Sequence, residues 1–176
     1  MGVSQWNFHG GPKAGDHYTP VAFPGLPRST APDVRPLFYG MWAATVATAN
    51  ASSSWAAAVQ SSNPAIKAHA LRDAAGATLR VVVIHKDLAA AAGDDARVSV
   101  ALAAGGGPQT ATLLRLEAAG NATARAGVTF AGQTFDGSAD GRPLGTRVAE
   151  SVPLAGGAYA FALPPRSAAV LEIALR

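Results

Sequence analysis

From about residue 54 onward, short stretches in which apolar residues alternate with polar or small ones are separated by turn sequences. The longest apolar stretch, LRVVVIHK at 79–86, is predicted to be a central strand. The connections contain Gly, Asp or Pro, as in AAGGGP and FDGSADG. Short strands with turns every 8–12 residues are typical of an antiparallel sandwich or barrel. The strands are predicted at 54–60, 65–72, 77–86, 96–103, 109–116, 124–130, 146–152, 157–163 and 167–175.

The first fifty residues have a different pattern. VSQWNF at 3–8 reads as a strand, residues 10–35 as a loop rich in Gly and Pro, and 36–49 as a helix with apolar residues at helical spacing. Pro36 suits the first helical position, and we expect Asp33 or Thr30 to cap nearby. A single strand–loop–helix unit cannot bury its strand edge and its helix face alone. The fold class predicted is therefore mainly β: an antiparallel sandwich of about eight to nine strands, preceded by one unit that needs a larger partner.

Composition and charge exclude several classes of function. Hydrophobic residues make up 49% of the chain, and charged residues, at 14%, are well below the usual quarter. Ample apolar material and little net charge indicate a globular chain rather than a disordered one. The net charge of +3 comes from scattered basic residues, so no nucleic acid is predicted as a partner. No apolar run reaches the length of a membrane span, so no membrane is predicted either. The chain has no cysteine, and no signal peptide follows Met1. The sequence therefore leaves the compartment unassigned.

The residues that carry chemistry are few. Most of the aspartates lie in predicted turns, where their side chains usually bond to the backbone. His69 and His85 fall on predicted strands, where we expect them at the sheet surface. His9, Asp16 and His17 have no recognisable metal-ligand spacing. No catalytic residue, metal or cofactor is predicted for this chain.

One stretch, WNFHGGPKAGDHYTP at 6–20, is richer in residues that could carry chemistry. His9 follows the predicted strand directly, and Gly10 and Gly11 would let the backbone approach a ligand closely. Tyr18 offers a ring for a sugar face and a hydroxyl for a hydrogen bond. Residue types alone leave two interpretations open, a binding rim at the end of a strand or a solvent loop pinned by its aromatic residues.

Four motifs in order resemble a known family: FHGG…YTP (8–20), VRPLFYGMW (34–42), LRVVVIHKD (79–87) and LPPRSAAVLEI (163–173). Together they are similar to the C-terminal part of glycoside hydrolase family 79, which includes β-glucuronidases and heparanases. The resemblance implies a (β/α)8 barrel followed by a β-sandwich, to which an element preceding the barrel also contributes. Residues 1–50 would be the last β/α unit of a truncated barrel, and 54–176 the C-terminal β-sandwich domain.

The same resemblance implies a function. The family's two catalytic glutamates lie on earlier barrel strands, and this chain has no glutamate before Glu117. We therefore expect a C-terminal fragment of a retaining glycoside hydrolase, inactive alone, from a truncated gene, a partial sequence assembly or a wrongly assigned start at Met1. Tyr18, His9, Gly10 and Gly11 would line the rim of the substrate cleft. The implied partners are the missing barrel portion and a glucuronide-type carbohydrate, and the implied full-length relatives are exported. The alternative is a stand-alone β-sandwich module for carbohydrate binding or protein interaction.

Overall fold

The computed structural model describes residues 20–22, 33–55, 58–91, 93–102, 108–118 and 123–175. These contain one helix and eleven strands, with antiparallel pairing throughout. The elements are β1 (Val21–Ala22), β2 (Asp33–Val34), α1 (Pro36–Thr48), β3 (Ala51–Trp55), β4 (Ile66–Asp73), β5 (Thr78–His85), β6 (Ala96–Ala101), β7 (Thr110–Glu117), β8 (Thr129–Phe130), β9 (Glu150–Ala155), β10 (Ala158–Leu163) and β11 (Ser167–Ala174).

Nine of the strands form one curled sheet, in the order β3-β4-β5-β11-β7-β9-β10-β6, with β8 paired to β7. The sheet folds over at β9, whose first residues pair with β7 and whose last two pair with β10. This turn places β6, β10 and the end of β9 as a small sheet opposite the longer main sheet. The prediction of a mainly β, antiparallel fold of eight to nine strands with one preceding helix is confirmed.

The main core lies between the two sheets. β5 alternates between buried and half-buried residues along its whole length, and Leu79, Val81 and Val83 point inward. They meet Leu171 and Ile173 of the neighbouring β11, both fully buried. Tyr159 and Leu163 of β10 close the core from the small sheet. Burying a side chain of this size stabilises the fold by about 1.5–3 kcal/mol.

A second core covers the other face of the main sheet. Tyr39, Ala43 and Ala47 of α1 are spaced four residues apart, so they share one face of the helix. This face packs on the outward side chains of the main sheet, among them Leu114 and Val170. Because α1 has its own buried contacts with the main sheet, the helix is an integral layer of the described structure.

Three local predictions were wrong in position. β3 covers 51–55 rather than 54–60, because the chain turns immediately after α1 at Asn50, which adopts a positive φ of 56°. Within the predicted 10–35 loop, β1 and β2 form a short antiparallel pair. Asp33 lies in β2, and the residue before α1 is Arg35, whose side chain makes no capping hydrogen bond.

Two strand boundaries also moved. Only 129–130 of the predicted 124–130 strand pair with a neighbour, as β8, and β9 begins at Glu150 rather than at 146. Residues 146–149 are exposed and carry no strand pairing. Within the described part of the chain, no helix is both long enough and apolar enough to cross a membrane.

Candidate functional site

The four predicted rim residues, Tyr18, His9, Gly10 and Gly11, lie outside the described residues, as do Asp16 and His17. The described chain resumes at Pro20, whose carbonyl oxygen accepts a hydrogen bond from the Arg35 N–H at 2.9 Å. Arg35 directly precedes α1. The chain that follows the predicted rim is therefore held at the beginning of this helix.

A buried hydroxyl ties α1 to the segment around Phe135. The Phe135 N–H donates to the Tyr39 hydroxyl oxygen at 2.6 Å, and this hydroxyl also bonds the Thr134 hydroxyl at 3.0 Å. Tyr39 has no exposed surface. The rings of Trp42 and Phe135 pack edge to face beside it, with centroids 5.4 Å apart. These contacts fix the position of α1. No described residue beside them indicates a catalytic or binding role.

The glutamates of this chain are used in structural contacts or lie at the surface. Glu172 accepts a hydrogen bond from Arg80 Nε at 2.8 Å, and Arg80 also bonds the Ala49 carbonyl at the end of α1. Glu150 accepts one from Arg115 Nε at 2.7 Å. Glu117, at the end of β7, is exposed. A glycosidase needs two carboxylates that face one cleft, and two of these three are engaged by arginine side chains instead.

A groove opens between the main sheet and β6. It encloses about 1340 Å³ between the inner faces of β4 and β5 and the inner face of β6. One edge of β6 pairs with β10 along its full length, and no strand among the described residues pairs with its other edge. The apolar side chains along the walls include Ala68, Ala70, Val81, Val98, Val100 and Leu102. The segment 58–63 also lines the groove, and no described strand covers the inter-sheet core along this side.

The two described histidines differ in environment. His69 is exposed on β4, as predicted, whereas the prediction of a surface position for His85 was wrong. His85 is 2% exposed because it shares the inward side of β5 with Leu79, Val81 and Val83. Its Nδ1 lies 3.0 Å from the Leu163 carbonyl oxygen, and its ring forms part of the groove wall.

Two aspartates line the groove, and a third, Asp87, follows β5. Asp94 and Asp95 line the groove immediately before β6. At Asp87, a hydrogen bond from the Asn63 amide, followed by those from the Ala89 and Ala90 N–H groups, holds the pKa of the carboxyl below its usual value. Among the residues that the structure describes, no group of three His, Asp or Glu side chains could hold a metal ion.

Sequence reasoning missed the groove. The signal was present in β6 and the residue after it, where Val98, Val100 and Leu102 alternate with Arg97 and Ser99 and so define an inward face. What the alternation did not show is that the opposing sheet extends further than the small sheet. That difference depends on how far the sheet curls at β9, which no local pattern records.

Comparisons with known proteins agree on the type of domain. A family model, the glycosyl hydrolase family 79 C-terminal beta domain, matches residues 68–171. No curated protein matches the chain in sequence. The fold is similar to a 4-O-α-L-rhamnosyl-β-D-glucuronidase from Fusarium oxysporum 12S, with 21% identity, a TM-score of 0.60, and coverage of 76% of this chain and 29% of that one.

A second similar structure is an arabinose-bound GH51 α-L-arabinofuranosidase, with 8% identity and a TM-score of 0.57. It covers 90% of this chain, and 21% of the arabinofuranosidase is matched. At these identities the two likenesses concern the fold alone. The chain spans less than a third of the length of either enzyme.

Proposed function

The chain belongs to glycosyl hydrolase family 79, and we propose that it supplies the accessory β-domain and part of the substrate-cleft rim of a retaining glycoside hydrolase resembling β-glucuronidase. The observation that carries this proposal is the family match over residues 68–171, which begins within β4 and ends within β11. Residues 54–176 are the β-sandwich domain in this proposal. Residues 1–50 are the last β/α unit of the catalytic barrel, with α1 as its helix.

In this proposal the chain is inactive by itself. Its three glutamates all lie in the β-domain, and Glu150 and Glu172 are paired with arginine side chains. Retaining hydrolysis needs an acid and a nucleophile whose carboxyl groups face one cleft about 5–5.5 Å apart, whereas Glu150 and Glu172 each accept a hydrogen bond from an arginine side chain. The catalytic carboxylates therefore belong to a barrel portion outside this chain.

The outer face of α1 supports a large protein partner. The helix has no charged residue along its thirteen positions. Leu37 and Gly40 are exposed, and Met41 is half-buried. A helix that faces water normally has charged residues on its outer face, so this composition fits a helix whose outer face is covered by the rest of a barrel.

The groove beside β6 supports the same partner. The resemblance to family 79 implies that an element preceding the barrel adds to the sandwich. An extended segment placed beside β6 would pair with its second edge and cover the inward side chains of β4 and β5. We assign this place to a segment of the barrel portion.

The cleft rim follows from the resemblance rather than from described geometry. Tyr18, His9, Gly10 and Gly11 come after the strand assigned to the barrel and before the Pro20–Arg35 contact that begins the described structure. In the assembled enzyme these residues would contact a glucuronide-type carbohydrate. The Fusarium enzyme of similar fold is named as a glucuronidase, which is consistent with a uronic acid substrate.

The test is hydrolysis of 4-nitrophenyl β-D-glucuronide. The purified chain should release no nitrophenol above the buffer rate, and the reading frame upstream of Met1 should encode a barrel with two catalytic glutamates. In the opposite outcome, the chain hydrolyses the glucuronide and loses this activity in Glu117→Gln, Glu150→Gln or Glu172→Gln. That result would overturn the assignment of the catalytic carboxylates to the barrel portion. An upstream sequence without a barrel in any frame would also count against the proposal.

The described surface gives little support to a stand-alone carbohydrate-binding module. Such modules rely on exposed aromatic rings, and every aromatic side chain that the structure describes is buried or half-buried. Titration of the chain with glucuronic acid oligosaccharides should therefore give no heat. Saturable binding to the isolated chain would favour the module instead.

A further inference from the structure

The three residues that join α1 to β3 have the acceptor pattern for N-linked glycosylation. They are Asn50, Ala51 and Ser52, an Asn followed two positions later by Ser. A second match to this pattern begins at Asn121, outside the described residues. The pattern alone also arises by chance. Three structural features, the exposure of Asn50, its turn and the unpaired Ser52, favour a modification site here.

Asn50 presents its amide on a fixed backbone. The residue is exposed and follows α1 with a positive φ of 56°. Its carbonyl oxygen accepts a hydrogen bond from the Ala74 N–H at 2.8 Å, which holds the turn in place. Among the described residues, the side-chain amide of Asn50 makes no hydrogen bond. The fold therefore uses the backbone of Asn50 and leaves its Nδ2 available for reaction.

Ser52, the hydroxyl residue of the pattern, also lies outside regular strand pairing. β3 pairs Ala51 with Asp73 and then Ser53 with Arg72. The register shift between these two pairs is a bulge, which leaves Ser52 without a partner on β4. Ser52 is exposed as well. The acceptor residues therefore span a turn and a bulge at the surface, which is the kind of position where glycosylated asparagines occur.

We propose that Asn50 is an acceptor for an N-linked oligosaccharide when the chain passes through a secretory compartment. In the transfer, Asn50 Nδ2 forms a bond to the anomeric carbon of an oligosaccharide carried on a lipid pyrophosphate. The bond between this carbon and the pyrophosphate oxygen breaks, one amide proton passes to a base of the transferase, and the lipid pyrophosphate leaves. The site goes beyond the proposed function and needs no barrel portion, because all three residues lie in the described structure.

An oligosaccharide on Asn50 would protect the edge of the main sheet. β3 is the terminal strand in the pairing order, and among the described strands only β4 pairs with it. An open strand edge favours pairing with another chain. A bulky, strongly hydrated group on the residue directly before β3 hinders the approach of a second sheet. The modification would therefore keep the chain from associating through this edge.

The experiment produces the full chain behind a cleavable signal peptide in a eukaryotic host. Intact mass is measured for the secreted chain and for the chain retained in the cell, before and after treatment with peptide N-glycosidase. The wild type should be heavier than its polypeptide by at least one core oligosaccharide. The glycosidase should remove this mass and leave an aspartate at position 50, identified by peptide mapping.

Two variants remove the site in different ways. Asn50→Gly removes the amide, and because glycine readily adopts a positive φ, the turn should still form. Ser52→Ala keeps the amide and removes the hydroxyl that the pattern requires. Each variant should lose the oligosaccharide at position 50 completely. Ser53→Ala, the matched control one residue further on, should keep it, and so should Asn121→Gln, which removes the second match to the pattern.

Two results would overturn the proposal. The first is an unmodified Asn50 in both the secreted and the retained wild type. The second is an added mass that Asn121→Gln abolishes and Asn50→Gly leaves intact. Sedimentation velocity then tests the protective role, since the chain treated with the glycosidase should associate at lower concentrations than the glycosylated chain. Equal association of the two forms would show that the oligosaccharide does not protect the β3 edge.

Discussion

Tyr39 shows how much of the helix position depends on a single hydroxyl. Tyr39→Phe keeps the ring but leaves the buried Phe135 N–H without its acceptor. We expect a loss of about 1–3 kcal/mol in the free energy of unfolding, measured by urea denaturation. Thr45→Ala is the control, because the Thr45 hydroxyl is exposed and bonds only within the helix, and should change stability by less than about 0.5 kcal/mol. An equal loss of unfolding free energy in the two variants would contradict a structural role for the Tyr39 hydroxyl.

Tyr159 links a single side chain to alkaline stability. Its ring is fully buried, its hydroxyl donates to the Pro108 carbonyl at 2.8 Å, and burial raises the pKa of the phenol above its usual 10.0. A raised pKa gives stability that is complete below pH 10 and is lost as the pH rises through the folded-state value. Tyr159→Phe should cost about 1 kcal/mol at pH 8 and remove this component above pH 10. Parallel pH profiles of urea midpoints in variant and wild type would exclude the effect.

His85 shows what the sequence could and could not predict about a single residue. The position of His85 followed from the alternation that already placed Leu79, Val81 and Val83 inward, but its polarity favoured the surface prediction. The Leu163 carbonyl that makes its burial possible is 78 residues away in sequence. Only the folded topology shows that this acceptor is available. The predicted rim residues from His9 to Tyr18 lie outside the described residues, so their roles stay predictions.

Secondary-structure elements were predicted best where their own pattern decides them. β5, β10 and β11 follow their period-two alternation, and α1 follows helical spacing to within one residue. β3 was displaced because its sequence, ASSSW, is poor in strand formers. Its position depends on the Asn50 turn and on pairing with Leu71 and Arg72. Tertiary pairing outweighed the local preference there.

The outer face of α1 gives a test of whether this element is open in the isolated chain. A Cβ added at Gly40 would meet nothing within 4 Å. Gly40→Ala should therefore stabilise the chain by about 0.5–1 kcal/mol, because alanine loses less backbone entropy in a helix. Ala44→Gly, on the same exposed face, should destabilise it by a similar amount. A loss of stability in Gly40→Ala, measured by thermal denaturation, would mean that this face is already covered in the chain.

Across the chain as a whole, stability is expected to fall from the middle of the main sheet towards the groove. β11 pairs with both β5 and β7, and its two faces contribute to both cores, through Val170 on one side and Leu171 on the other. Among the described strands β6 pairs along one edge only, and its inward side chains are half-buried. A strand covered on both faces opens only when the domain unfolds, whereas a strand at an uncovered edge opens locally.

Amide hydrogen exchange measures this gradient directly. The amides of β11 should exchange at the rate of global unfolding, and β6 should retain amides that exchange orders of magnitude faster.

Leu171→Ala should cost about 2–5 kcal/mol in the free energy of unfolding and lower the protection of β5, β7 and β11 together. The Val98 side chain lines the groove, so Val98→Ala should cost less than about 1.5 kcal/mol in the free energy of unfolding. The β11 amides of this variant should still exchange at its rate of global unfolding. Uniform protection of β6 and β11 would show instead that the groove side is closed in the isolated chain. The groove would then need no covering segment from the barrel portion.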